Sequence, residues 1–391
     1  MNIAIPTFQF KQGGGLTYLA NIVPEMARQS PHDSFHLFMP PRHKDLIRDD
    51  SAMPHNIRRI TYNIPFGLLG RVFFEQCVLP WVLKQHQIDV LFSVGDVTTL
   101  LAPCPVVLAV RNPNPYYNEV HWGLLQRSKL LILRMLTRWS IAKARATFFV
   151  SDASRERVKK VLHSKHNSLH TIYHGLNHQL FHAGKHANLK KFLQYQPFIL
   201  SVSTINPHKN FELLIDAMAI LTQSEAKKIS QPRDAISKPI RALIVGAAAS
   251  PTYAAHLQEK IVQRNLTDRI LLVGPVAYSE LPALYQMADV FVLPSLIETF
   301  GHPLVEAMAC GTPVIATNTT STPEILGGAG LLCEPYDPQD LATKLATVLD
   351  DNVVRKRLRE HGLKRAAYFL WEKTAQQTLS LIHNAVTRHT S

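Results

Sequence analysis

Short apolar runs of strand length alternate along this chain with longer stretches of helical period, the pattern of parallel α/β units. Residues 2–5 predict a buried strand, Gly13-Gly14-Gly15 a tight loop, and residues 16–29 a helix with Leu16, Leu19, Val23 and Met26 on one apolar stripe. Pro24 argues against an unbroken helix there, because a proline in a helix interior removes a backbone hydrogen bond. Residues 35–39, 90–94, 106–110 and 148–150 read as further strands, and Ser151-Asp152-Ala153-Ser154 opens a helix with an N-cap. From His182 to Pro197 the pattern lapses into a polar, Lys- and His-rich stretch that reads as a linker.

The second half restarts the same architecture. Strands are expected at 198–203, 243–246, 270–274, 290–294, 313–316 and 330–333, with helices at 211–221, 280–288, 303–310 and 339–349. Residues 222–239 are polar and aperiodic, an expected exposed excursion, and 353–387 read as helices. The pattern therefore predicts two doubly wound α/β domains, whose ligands bind outside the carboxyl ends of the strands. A length of 391 residues agrees, being too long for one ordinary core.

Composition adds little to the fold and more to the partners. With 46% hydrophobic and 18% charged residues the chain is globular. Its formal net charge of +13 implies an anionic partner or surface. The four cysteines, Cys77, Cys104, Cys310 and Cys333, show no metal-ligand spacing and read as ordinary thiols of a reduced compartment. MNIAIPTF at the start reads as a strand without a basic leader, and no apolar run reaches the ~20 residues of a membrane helix. A cytoplasmic location, peripheral at the inner face of the membrane, is the expectation.

The densest chemical signal is PSLIETFGHPLVEAMACGTPVIA, residues 294–316. A strand ends in a loop, Pro303 sits where the first helical residue is expected, and Gly311 follows the helix as its cap. Glu298 and Glu306, with seven residues between them, flank the loop, Glu306 being expected in the first helical turn. A helix N-terminus with Gly301 nearby suits a pyrophosphate, and ionised carboxylates on both sides accept strong hydrogen bonds from hydroxyls. Phosphate in the middle with hydroxyls at either end describes a nucleotide sugar. Acidic residues near a helix start are also ordinary dipole partners, so this pattern alone leaves that reading open.

The surrounding stretches resemble the retaining glycosyltransferases of family 4, with their two-Rossmann-domain GT-B fold and E-x7-E signature. GGGLTYL (13–19), VSDASRERV (150–158), IYHGLNHQLF (172–181), LSVSTINPHKNFELLIDA (200–217) and VGPVAYSELPALYQMADVFVLPS (273–295) match in order, so the resemblance runs from residue 1 to about 375. It implies an acceptor-side domain over 1–185, a nucleotide-sugar donor domain over 196–371, facing each other across a cleft, and a last helix, 372–391, packed back on the first. It implies that Glu306 holds the donor ribose, that Glu298 holds the hexose, and that Phe300 and Gly301 present backbone amides. Lys209, in PHKN, would neutralise the departing diphosphate, and Gly14 and Gly15 would let backbone approach the β-phosphate.

Two positions depart from the family pattern. Thr204 stands where members commonly carry an Arg that contacts phosphate. Arg111-Asn112 stands where they often carry His-Asp, leaving Asn112, Arg111 or His121 to make the sugar contact. No covalent nucleophile is evident, and retention in this family is explained by same-face attack. There is no DxD triplet, so neither metal nor cofactor is expected beyond the nucleotide-diphosphate sugar as co-substrate.

The positive charge concentrates at 127–145, which holds six Arg and Lys, no acid, and interleaved Leu, Ile, Met and Trp. Such a basic amphipathic helix reads either as peripheral contact with an anionic membrane or as a sheet-packed helix with solvated arginines. Nucleic acid is not an expected partner, for want of any recognition motif. The expected activity is transfer of a hexose such as mannose or glucose to a glycan or lipid-linked acceptor in cell-surface polysaccharide or glycolipid synthesis. The alternatives are a nucleotide-sugar-binding scaffold without catalysis and a GT-B nucleotide-sugar epimerase.

Overall fold

A seven-stranded and a six-stranded parallel sheet carry the fold. Parallel sheets are covered on both faces, which is why most of these strands read as unbroken apolar runs rather than as alternations. The computed structural model describes residues 1–10, 14–46, 54–65, 67–112, 114–117, 123–163, 168–185, 189–229 and 239–387. Unit 1 comprises Met1–Tyr117, His121–Gly175 and Leu370–Ser391, and unit 2 is built on Leu176–Phe369.

In unit 1 the strands are β1 (Asn2–Pro6), β2 (Ser34–Met39), β3 (Ile57–Thr61), β4 (Val90–Val94), β5 (Val106–Val110), β6 (Ala146–Phe149) and β7 (Leu169–Thr171). Their order across the sheet is β3-β2-β1-β4-β5-β6-β7. The edge strands β3 and β7 are the two that periodicity passes over. They are short and half-buried, and Arg58, Arg59 and His170 interrupt their apolar character, as is usual where a sheet must not offer an apolar edge.

The first helix runs without a break from Gly14 to Gln29, with Pro24 inside it. Leu19, Ile22, Val23 and Met26 are completely buried on its inner face. At ~1.5–3 kcal/mol for each large side chain, that burial outweighs the ~3 kcal/mol an interior proline costs. Ser151 caps the Asp152–Leu162 helix, its hydroxyl accepting from the Ser154 N–H at 3.2 Å. The chain returns to unit 1 as the helix Trp371–Thr387, where Trp371, Ala375, Leu379 and Ile382 join the apolar core. Gly175, at the first crossing, leaves no room for a side chain: a Cβ there would lie 2.3 Å from the Trp371 nitrogen.

Unit 2 contains β8 (Phe198–Val202), β9 (Arg241–Val245), β10 (Ile270–Gly274), β11 (Val290–Leu293), β12 (Val314–Thr317) and β13 (Leu331–Cys333), ordered β10-β9-β8-β11-β12-β13. It begins at Leu176, before the polar stretch expected to be the linker. Phe181 is fully buried against Tyr278 and Tyr285, with ring centroids at 5.3 and 6.2 Å, and the Gln286 amide holds the His182 and Gly184 carbonyls. The helix from Phe211 extends to Ile229, eight residues past its expected end. TQSEAKKI is polar but rich in good helix formers, so propensity carries the helix on where the apolar stripe stops. The rest of the expected excursion, 230–238, lies outside the described residues. An unexpected helix, Pro251–Gln263, starts at an Ser250 cap and buries Tyr253, Leu257 and Ile261, a stripe at four-residue spacing.

Candidate active site

The first strand of unit 2, β8, lies beside β11, where the order of the sheet reverses direction. The loops leaving β8, β11 and β12 meet there, outside the carboxyl ends of the strands, where doubly wound sheets bind ligands. The Leu296 N–H donates to the His208 carbonyl at 2.8 Å, the Glu298 N–H to the Thr320 hydroxyl at 2.9 Å, and the Ser321 hydroxyl to the Glu298 carbonyl at 3.1 Å. Thr320 has φ +49°, a left-handed conformation seldom taken by a branched residue and held here by these contacts. The loop after β8 rests directly on Gly246, whose φ is +148° and where a Cβ would lie 1.9 Å from the Ser203 carbonyl oxygen.

Within this cluster the Lys209 ammonium is 2.6 Å from the Glu298 carboxylate, and each side chain is only 12% exposed. Burial pushes the Glu298 pKa up, but Lys209, with Ser295 and His208, outweighs it and holds the carboxyl below its usual range. Burial, together with the Lys209 charge, pushes the His208 imidazole down to about 4. At neutral pH Lys209 thus faces a carboxylate beside a neutral histidine.

Gly301, with φ +80°, caps the helix His302–Ala309. Pro303 is its second residue rather than its first, and Glu306 its fifth, so Glu306 lies in the second turn and not the first. That position turns the carboxyl inward: Glu306 is buried, accepting from the Tyr285 hydroxyl at 2.9 Å and the Tyr278 hydroxyl at 3.3 Å. Burial raises its pKa to about 7, against the opposing pull of the two hydroxyls. Thr312 pins Tyr285 in turn, donating to its carbonyl at 2.8 Å. A carboxylate offers about four lone-pair positions, and two are taken here by phenols, leaving capacity for further hydroxyl donors.

Comparison with known proteins supports a glycosyltransferase. Residues 12–180 match the family described as Glycosyltransferase Family 4, and residues 185–365 match Glycosyl transferases group 1. Together the two matches, which follow one another along the chain, point to a glycosyltransferase of family 4. An O-antigen chain mannosyltransferase B from Escherichia coli is 31% identical over 194 residues, 49% of this chain and 47% of that protein. The chain thus spans under half the length of the curated relatives it matches first. Sucrose-phosphate synthase from Thermosynechococcus elongatus superposes with a TM-score of 0.76 over 99% of both chains at 21% identity. HepE from Anabaena, solved in complex with UDP and glucose, gives 0.71 over 97% and 98% at 22% identity. These likenesses establish the fold as two parallel-sheet, Rossmann-like domains of GT-B type.

The other expected residues are placed as follows. In unit 2, Thr204 is exposed on the loop after β8, and Phe300 is buried with its ring edge-on to Phe369 at 5.3 Å. In unit 1, Gly14 and Gly15 form the first helical turn rather than a loop. A Cβ on Gly15 would meet the Phe10 ring at 2.2 Å, whereas Gly14 has open space around it. The Asn112 and Arg111 N–H groups both donate to the buried Asp96 carboxylate at 2.9 Å. The Arg111 guanidinium stacks on Tyr18 at 4.4 Å and donates to the Gly14 carbonyl at 3.1 Å. Burial lowers its pKa to about 10. His121 lies outside the described residues.

Sequence reading misses Tyr278, Tyr285, His208, Thr320 and Asp96, whose importance lies in pairings across 15 to 88 positions of the chain. The stretch YSELPALY preceding β11 is the one place where a signal existed, two phenols seven residues apart. Among the described residues, no group of three or more His, Cys, Asp or Glu is placed to hold a metal ion.

Proposed function

We propose that this chain transfers a hexose from a nucleotide-diphosphate sugar to a glycan or lipid-linked acceptor, without a metal and with retention of configuration. The observation that carries the reading is the Lys209–Glu298 pair, 2.6 Å apart at the reversal point of the unit 2 sheet. When the glycosidic bond to the diphosphate breaks, negative charge grows on the leaving oxygen. A positioned ammonium stabilises that charge in a water-poor site, the task a metal performs elsewhere. Lys209 exchanges one anionic partner, Glu298, for another, and the released carboxylate accepts hydroxyls of the hexose. Glu306 accepts from the ribose, and the backbone at Phe300 and Gly301 faces the phosphate or sugar.

Thr204, Gly14, Gly15 and Asn112 enter this reading through the family resemblance, and Arg111 adds a cation beside Asn112. Synthesis of a cell-surface polysaccharide or glycolipid fits the mannosyltransferase relative, whose name concerns O-antigen chains. Contact of residues 127–145 with an anionic membrane belongs to the same reading.

The test is incubation with UDP-, GDP-, ADP- and dTDP-hexoses and glycan or lipid-linked acceptors, with the anomer assigned by NMR. One donor is consumed, the product keeps the donor's anomeric configuration, and EDTA leaves the rate unchanged. Lys209→Ala lowers kcat by roughly 10²–10³. An inverted product, or loss of rate with EDTA, contradicts the mechanism. Donor binding without turnover identifies a scaffold, and a new sugar nucleotide formed without acceptor identifies an epimerase.

A further inference from the structure

We propose that unit 1 binds an anionic lipid membrane through a surface of two elements, in which the segment Gly67–Gln85 enters the lipid beside the basic Leu124–Lys143 helix. This rests on the membrane contact proposed for 127–145 and adds the element that inserts. The added segment is a helix from Gly67 to Phe73, a π-helical turn Phe74–Val78 and a helix Leu79–Gln85. Phe74, Leu79, Val82 and Leu83 are its buried face. The opposite face presents Leu68, Leu69, Val72, Phe73 and Trp81 to solvent, Leu69 being 81% and Trp81 60% exposed.

The neighbouring helix does the same. Leu131, Met135 and Trp139, at four-residue spacing, are all exposed together with Ile132. One loop ties the two elements together. The Gln76 side chain holds it on one side, donating to the Thr98 carbonyl at 3.1 Å and accepting from the Leu100 N–H at 3.0 Å. On the other side the Thr98 N–H donates to Ser140 at 3.1 Å. Leu101, 70% exposed, follows in that loop. The exposed apolar faces thus belong to two elements held to the same loop, a concentration beyond scattered surface leucines, and apolar surface of that kind marks interaction sites.

Charge selects the occupant. Arg127, Lys129, Arg138 and Lys143 are exposed along the second helix, and no acid lies between 127 and 145. The one acid of the 67–85 segment, Glu75, lies 3.7 Å from Arg71, and burial raises its pKa to about 7. Such a surface repels a second copy of itself and attracts anionic headgroups. Trp81 and Trp139 have the amphipathic rings that favour the headgroup boundary. No described helix is long and apolar enough to cross the bilayer, so the fit is a helix lying in the interface.

Cys77 is exposed on the inserting segment, whereas Cys104, Cys310 and Cys333 are buried, so a single environment-sensitive fluorophore reports on it. The full chain labelled at Cys77 is mixed with phosphatidylcholine vesicles with and without phosphatidylglycerol. The expected result is a blue-shifted, brighter emission with the anionic vesicles alone, quenched by bromo-lipids. Leu69→Glu with Phe73→Glu is expected to lower vesicle partitioning at least about tenfold, while nucleotide-induced thermal shifts stay as in the wild type. If the chain floats with anionic vesicles but the Cys77 probe and the double variant change nothing, the inserting segment is wrong and the 127–145 contact stands alone. No flotation at all overturns both, and a dimer held by this face, seen by light scattering, replaces the membrane with a second copy. None of these outcomes touches the donor-site reading, which hexose transfer to a soluble acceptor tests separately.

Discussion

Glu306 is the residue on which the proposed donor site turns, and its chemistry is unusual because, among the described residues, two phenols and no cation face it. A carboxyl raised from 4.5 to about 7 corresponds to ~3 kcal/mol of destabilisation of the charged form. Between those values the folded chain holds a proton that the unfolded chain has lost. Stability contributed by this group is therefore fully present below pH 4.5 and falls as pH rises through about 7. Glu306→Gln is expected to flatten that part of the pH–Tm curve, and an unchanged slope would mean that the carboxyl is already ionised at pH 5. In the proposed site ribose hydroxyls donate to the ionised form, so donor binding near pH 6 is expected to release a proton, readable by calorimetry in buffers of different ionisation heat. Tyr285→Phe removes the 2.9 Å donor from a buried acceptor, a loss of about 1–3 kcal/mol. Chemical denaturation checks it: a cost under ~0.5 kcal/mol would show that Tyr285 does not support Glu306.

Elements show why part of this site was legible and part was not. The segment from β11 to β12 carries its own punctuation, an apolar strand, a loop, a proline at the helix start and a glycine after it, so residues 290–316 read almost directly. The same local signals misplace Glu306 by a turn, because helix starts are soft by one or two residues. Edge strands β3 and β7 lack the apolar run that marks a covered strand, and the Tyr–Glu306 and Lys209–Glu298 pairs span 21 and 89 positions. Periodicity is local and such pairings are not. At this scale Gly246 is the sharpest test. Gly246→Ala puts a methyl against the Ser203 carbonyl and requires φ +148° of an L residue. It is expected to cost well over ~2 kcal/mol and to displace the β8 loop carrying Lys209. A folded variant with wild-type donor affinity would show that the loop does not depend on this contact.

Taken as a whole, the molecule divides its work unevenly. Lys209, Glu298, Glu306, Tyr278 and Tyr285 all lie within Leu176–Phe369, whereas the exposed apolar and basic surface lies in unit 1. A fragment spanning 176–369 is therefore expected to keep nucleotide affinity within about tenfold of the full chain, a difference of roughly 1.4 kcal/mol or less. Truncation after Phe369 removes Trp371, Ala375, Leu379 and Ile382 from the unit 1 core. Several large buried side chains at ~1.5–3 kcal/mol each exceed the margin of a typical domain, so unit 1 is expected to unfold in that truncation, as circular dichroism would report.

Whether Glu306 and the Lys209–Glu298 pair form a nucleotide-sugar site, as proposed, is read by calorimetric titration. UDP, GDP, ADP, dTDP and their hexoses are titrated into the wild type and into Glu306→Gln, with EDTA present. Saturable binding of one nucleotide and its sugar is expected, weakened at least about tenfold in Glu306→Gln because a charged acceptor of hydroxyl groups is lost. Wild-type affinity in a folded Glu306→Gln protein, or no binding of any nucleotide to the wild type, would contradict it.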